Sequence, residues 1–179
     1  LSELLQAVET GGYVKPSRLT LGAWLEDWYQ SYVVMHISPK TAEGYRMMIR
    51  RHLCPNLGQV PLTELRPEHI RGYLAHALRE GRVAGGGLGS RTVLHHYRLL
   101  HKALNDAVRQ GLVARNVCDA VDSPRAEPTE MSTLAPDDVS KFLATARGAG
   151  FPYYELFYTM LFTGLRRSEA LALTWGNTD

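Results

Sequence analysis

Near the end of this 179-residue sequence, Arg166 is followed three positions later by Glu169 and preceded by Thr163-Gly164-Leu165. Residues three apart share a helix face, so the carboxylate can hold the guanidinium in one orientation. A glycine break before the arginine puts it at a helix start beside backbone N–H groups, and such a corner can hold a phosphate. Taken alone, Arg-x-x-Glu is more often a capped, salt-bridged helix end. The flanking elements therefore matter. An apolar helix precedes the corner, and Leu171-Ala172-Leu173-Thr174-Trp175 continues it as an apolar stripe ending in tryptophan.

Two other stretches carry side chains suited to phosphate. Ser38-Pro39 opens a helix with Ser as N-cap, and Tyr45, Met48, Ile49 and Leu53 form its apolar face before Cys54-Pro55 ends it. Lys40, Thr41, Arg46 and Arg50 lie on or beside its polar side. Ser90 is expected to cap the longest helix, whose apolar face is Val93, Leu94, Tyr97, Leu100, Leu104, Ala107 and Val108. Arg91, Thr92, His95, Arg98 and Lys102 mark its basic side, which extends to Arg109. Hydroxyls and first-turn amides next to Lys or Arg make good contacts to a nucleic-acid backbone. A short side chain near such a helix start can also enter a major groove. The bland alternative is local capping by the threonines and a merely solvated charged face.

Charge distribution favours the first reading. The chain's formal net charge is only +2, but residues 20–125 hold 14 Lys and Arg against 9 Asp and Glu, and the remainder 6 against 9. The middle of the chain is thus the candidate for an anionic partner. Apolar residues at 45% and charged residues at 21% exclude a disordered chain. No apolar run approaches the roughly 20 residues of a membrane span, and no signal peptide is legible. Cys54 and Cys118 are far apart and form no C-x-x-C pair, so a reducing cytoplasm is the expected setting. The seven histidines show no metal spacing. His95, His96 and His101 read as solvated or phosphate-facing, and neither metal nor cofactor is expected.

The remaining elements read as helices and connectors. Residues 1–10 form a short amphipathic helix closed by Gly11-Gly12, entered as if midway, so the sequence reads as a fragment; an extended connector follows. Thr20 can cap a helix whose Leu21, Trp24, Leu25, Trp28 and Tyr32 recur at helical spacing, a core stripe. Pro67 starts a helix with Ile70, Tyr73, Leu74, Ala77 and Leu78 inward, stopped by Gly81. Gly85-Gly86-Gly87-Leu88-Gly89 lacks a preceding strand and a P-loop lysine, so it reads as a flexible loop. Gly111 ends the long helix, and one short turn follows within 112–121. Ser123 to Glu130 is linker-like, with two prolines and no periodicity. After it, Asp137 and Asp138 fill the first turn of a helix facing inward with Val139, Phe142, Leu143 and Ala146, and an apolar helix over 153–161 leads to the Arg166 corner.

The run Thr163-Gly164-Leu165-Arg166-Arg167-Ser168-Glu169-Ala170-Leu171-Ala172-Leu173-Thr174-Trp175 resembles the first arginine box of the tyrosine recombinases, the phage integrase family. Trp24-Leu25-x-x-Trp28, Ser38-Pro39-x-Thr41-x-x-x-Tyr45, Leu57-Gly58, Leu65-x-Pro67-x-x-Ile70 and Ala103-Leu104-x-x-Ala107-x-x-x-Gly111-Leu112-Val113-x-x-Asn116 resemble that family's core-binding domain, with Val117 where Pro is common.

The resemblance implies an all-α chain as given. A SAM-like core-binding domain of four or five helices (20–122) follows an N-terminal helix and connector (1–19). A linker (123–131) then leads to the first helices of a truncated α+β catalytic domain (132–179). It implies site-specific recombination of double-stranded DNA through a 3′-phosphotyrosine, without metal. Arg166 would be a catalytic arginine and Glu169 its support. The family's lysine hairpin, His-x-x-Arg box and nucleophilic tyrosine fall after this stretch, so these residues are expected to bind DNA without cleaving it. Family members act as tetramers on paired sites, and a monomer is expected for this fragment. The competing expectation is a stand-alone helical DNA-binding regulator or architectural module; a third is a helical protein-interaction domain.

Overall fold

A computed structural model describes residues 18–82, 84–128, 130–149, 153–174 and 176. The helix expected over 1–10, most of its connector and Trp175 lie outside these residues. The described part is helical, with no strand and one isolated bridge between Thr20 and Pro61. It divides into two compact units between Pro128 and Thr129.

In the first unit, Thr20 caps α1 (Leu21–Trp28) by accepting the Ala23 N–H at 3.3 Å. The first two amides of α1 are satisfied from outside the helix: Leu21 N–H donates to the Val60 carbonyl at 2.9 Å and Gly22 N–H to that of Gly58 at 3.0 Å. The close approach accounts for Gly22, whose Cβ would press on the Gly58 backbone, and a Cβ at Gly58 would itself meet the Cys54 carbonyl. The helix runs on through a π-helical stretch, Tyr29–Val33, into α2 (Val34–His36). The wider turn adds a residue, and the inward position moves from the expected Tyr32 to Val33. Tyr29 is also buried, while Tyr32 is half-buried and stacks on Trp28 at 5.5 Å.

The second helix repeats the device. α3 (Pro39–Met48) passes through a π-helical stretch, Ile49–Leu53, into α4 (Cys54–Leu57). Cys54-Pro55 therefore does not end it. The wide turn has already displaced the hydrogen-bond ladder there, so the missing proline N–H is tolerated. Ser38 makes no capping bond to the backbone; its hydroxyl donates to Thr41 Oγ1 at 3.0 Å.

A 3₁₀ turn, Leu62–Glu64, leads to α5 (Pro67–Glu80), which buries Ile70, Tyr73, Leu74 and Ala77. Leu78, expected inward, is 44% exposed, since Leu74 and Ala77 already fill the inner face at that turn. The glycine loop is not the open flexible segment the sequence predicts. Arg82 N–H donates to the Gly86 carbonyl at 2.9 Å and Gly85 N–H to that of Arg82 at 3.1 Å. Gly85 and Gly86 have φ near +90°, and Gly87 lies so close to the Leu78 carbonyl that a Cβ could not fit.

α6 (Ser90–Arg109) is the central helix of this unit, with eight buried residues. Gly89, not Ser90, occupies its cap position, and Ser90 Oγ accepts the Glu127 N–H at 3.4 Å instead. Both indoles of α1 donate to α6: Trp24 to the Ala103 carbonyl at 3.1 Å, Trp28 to the Asp106 carboxylate at 2.8 Å. A 3₁₀ turn, Val117–Ala120, follows. Before it, Asn116 donates to the His101 carbonyl at 3.0 Å and to Asn105 Oδ1 at 2.8 Å, and accepts the Cys118 N–H at 3.0 Å. Val117 stands at the first position of that turn, where a proline fits for lack of any needed N–H.

The second unit contains α7 (Pro136–Gly148), α8 (Tyr153–Thr163) and α9 (Arg167–Leu171). Asp137 and Asp138 occupy the first turn of α7 as expected. Of its predicted inner face only Ala146 is buried; Val139, Phe142 and Leu143 are half-buried. Phe142 meets Phe157 of α8 edge to face at 5.2 Å.

Candidate functional site

The Arg166 corner is built by three local devices. Thr163 closes α8 by donating its hydroxyl to the Thr159 carbonyl at 2.6 Å, and its oxygen receives the Leu165 N–H at 3.4 Å. Gly164 turns the chain at φ +72°, where an L side chain would be strained. Arg166 is then extended, and Glu169 reaches back to it twice. One carboxylate oxygen accepts the Arg166 N–H at 2.8 Å and the other its guanidinium at 3.2 Å. The arginine side chain remains 85% exposed, so its outer N–H groups are open to an incoming oxyanion.

A parallel corner in the first unit lacks the charge pair. Arg66 precedes α5 in the same extended conformation, and its N–H is capped by His69 Nδ1 at 3.1 Å. The Arg-x-x-Glu spacing is what adds guanidinium orientation to an ordinary helix cap.

The structure sorts the nine basic-face candidates into two groups. Lys40, Arg46, Arg91, Thr92, His95 and Arg98 are exposed. Lys40, Arg46, Arg91 and Arg98 take part in no ion pair among the described residues. Three candidates are engaged. Thr41 accepts the Ser38 hydroxyl, Arg50 pairs with Glu26 at 2.8 Å, and Lys102 pairs with Asp106 at 3.0 Å while lying over the Tyr32 ring at 4.6 Å. The Arg50 hydrogen bond holds the Glu26 carboxyl below its ordinary range. Asp106 gathers Trp28, Lys102 and, at 3.7 Å, Arg109, so the inner end of the basic stripe serves packing.

The histidines also divide. His95 is exposed, but His96 is 1% exposed and corrects the solvated reading. Its Nδ1 bonds the Tyr73 hydroxyl at 2.7 Å, and its ring lies 4.9 Å from His52. Burial pushes its pKa down to about 4, so it is a neutral core group. His101 pairs with Asp119 at 2.9 Å. Sequence periodicity could have found His96: it lies on the arc of Val93, Leu100 and Ala103. The helix carrying Lys40 and Arg46 touches that carrying Arg91 and Arg98 at the His52–His96 contact. Burial also pushes Cys118 up to about 12, which leaves an inert thiol. Among the described residues no cluster of His, Cys, Asp or Glu could hold a metal ion, and no helix is long and apolar enough to cross a membrane.

These features meet those of known proteins at several levels. Residues 20–77 match the family model "Phage integrase, N-terminal SAM-like domain". An integrase of Saccharopolyspora erythraea is 28% identical over 160 residues, covering 87% of this chain and 34% of its own length. An integrase of Streptomyces ambofaciens is 27% identical over 176 residues, covering 98% of this chain and 43% of its own. The solution structure of a phage integrase SAM-like domain from Moorella thermoacetica is 32% identical, with TM-score 0.51; the match covers 67% of this chain and 97% of that one. A lambda integrase dimer bound to a COC′ core site has the same fold at TM-score 0.77 and 19% identity, over 99% of this chain and 47% of that one.

The chain belongs to the phage integrase, or tyrosine recombinase, family. It spans between a third and a half of the length of these two curated relatives.

Proposed function

We propose that these residues are the DNA-binding part and the opening of the catalytic part of a site-specific DNA recombinase. Residues 20–122 form the core-binding domain, 123–131 the linker, and 132–179 the start of the catalytic domain. The exposed faces carrying Lys40, Arg46, Arg91, Thr92, His95 and Arg98 contact double-stranded DNA. Thr41, Arg50 and Lys102 stand beside them and contribute once their present partners exchange. Arg166 donates to the nonbridging oxygens of the scissile phosphate, where charge grows in the transition state. Glu169 positions it. The reaction joins a tyrosine hydroxyl to the DNA 3′-phosphate and is reversed by a 5′-hydroxyl of the partner strand. No tyrosine of this stretch is assigned as nucleophile, so DNA binding without cleavage is its expected property. The whole protein would act in the cytoplasm as a tetramer on DNA; this stretch is a monomer off DNA.

The observation that carries the reading is the Arg166 guanidinium, held by Glu169 at 3.2 Å and still 85% exposed. The integrase relatives support it. Duplex binding measured by fluorescence anisotropy across a salt series tests the first half: affinity should fall linearly on a log–log scale, less steeply after Arg91→Ala. A nicked suicide duplex tests the second: a covalent adduct formed by these 179 residues would overturn binding without cleavage.

A further inference from the structure

Outside the faces assigned above, one cavity of about 180 Å³ opens between the end of the second helix and the C-terminal end of α5. Arg51, His52, His76, Glu80 and Arg82 line it, over a floor that includes Tyr73. Arg51 and Arg82, 31 positions apart in sequence, are both exposed. Neither takes part in an ion pair among the described residues. The one carboxylate among the described lining residues, Glu80, lies 3.7 Å from His76 Nδ1. The floor brings no competing anion, because Tyr73 is bonded to the neutral His96 and His52 lies against that same ring.

We propose that this cavity is a phosphate-binding site, with Arg51 and Arg82 as its two guanidinium donors. Two guanidiniums against a single lining carboxylate leave the cavity a cationic surplus, and they match a tetrahedral oxyanion that accepts several N–H bonds. The volume falls below the roughly 300 Å³ at which pockets for whole small molecules begin, so one phosphate group fits rather than a nucleoside.

The backbone from which the Arg82 side chain extends is fixed in advance. Its N–H and carbonyl are both bonded within the glycine loop, and Gly87 seats that loop on the Leu78 carbonyl. A held backbone removes the loop's share of the ordering cost of binding. Arg51 is separated from its neighbour's role: Arg50 reaches Glu26, while Arg51 lines the cavity. The phosphate can come from a DNA backbone or be free in solution. Only the former source rests on the DNA-binding function proposed above.

The test uses the 179-residue protein, Arg51→Gln, Arg82→Gln and the double variant, with Arg91→Ala as reference and circular-dichroism melting to establish folding. Inorganic phosphate is titrated at constant ionic strength against backbone amide shifts at 51–52 and 80–82. Duplex binding is measured across a salt series. The wild type should give saturable shifts, weakened at least tenfold in the double variant. If the source is DNA, each arginine removed should also lower the log–log salt slope by about 0.9. Saturable shifts with an unchanged DNA slope identify free phosphate as the ligand and leave the site standing. Absence of saturable shifts together with unchanged DNA slopes overturns the site. In that case a reduced slope in Arg91→Ala leaves DNA binding intact. Saturable shifts in a protein that binds no duplex would keep the site and remove the DNA reading.

Discussion

The two units use apolar residues in opposite ways. In the first, Trp24, Trp28, Ile49, Leu53, Ile70, Leu99, Leu100 and Leu104 are essentially fully buried, and both indole N–H groups find acceptors on α6. In the second, α8 is as apolar as any helix here, yet none of its described residues is buried, and Phe162 is 65% exposed. Periodicity shows that a helix has an apolar face. It does not show that another element covers it. The candidate sites follow the same division: the basic groups of the first unit stand on a packed scaffold, whereas the Arg166 corner is held by local hydrogen bonds alone.

Four measurements bear on this contrast. The largest effect should come from Trp28→Ala, which removes a buried indole and strips Asp106 of a donor. It should cost about 3–5 kcal/mol in urea unfolding followed by circular dichroism. Phe162→Ala should cost less than about 0.5 kcal/mol. Similar costs for the two would abolish the distinction.

The next effect is acid sensitivity of the first unit. His96 has a folded pKa near 4 against an ordinary 6.5, so the unfolded chain takes up the proton first as pH falls. Stability is therefore full above about pH 6.5, declines between 6.5 and 4, and loses about 3 kcal/mol in all from this group. Burial moves the pKa of His52 in the same direction. Unfolding at pH 7.5 and 4.5 should reveal the decline, and His96→Gln should remove most of it. An unchanged slope in that variant would mean that His96 is not the responsible group.

A smaller effect separates free from engaged cations. Arg98→Ala should lower the salt slope of DNA binding by about 0.9 and leave stability within about 0.5 kcal/mol. Lys102→Ala, in contrast, should lower stability measurably, because it removes the charge beside the buried Asp106. The reverse pattern would exchange their roles.

The smallest change is expected at the corner itself. Glu169→Gln should alter stability by less than about 0.5 kcal/mol, since an exposed ion pair contributes little. A cost above about 1 kcal/mol would show that the corner is integrated into a core as the first unit is.

Much of the first unit was legible from spacing. Thr20 as a cap and Trp24 and Trp28 as core, like Asp137-Asp138 as an acidic first turn in the second unit, each depend on residues within one or two helical turns. Two of the differences share one cause. Tyr32 for Val33 and the early end at Cys54-Pro55 both arise where a π-helical turn changes the period, which a constant 3.6-residue reading cannot register. Leu78 and the glycine loop depend on what lies opposite them in space, whereas His96 lies on the apolar arc of its helix and only its polar type masks it.

The sequence by itself determined the helices, the Thr20 cap, the apolar stripes, and an Arg-x-x-Glu corner after a glycine turn, because these are settled by backbone sterics and contacts a few residues apart. Only the tertiary structure decided which cations are free. Arg50 finds Glu26 from 24 positions away, Trp28 meets Asp106 across 78, and Arg51 and Arg82 come to one cavity. The physical reason is that a charge is spent or available according to its neighbours in space, and close packing of the core sets those neighbours.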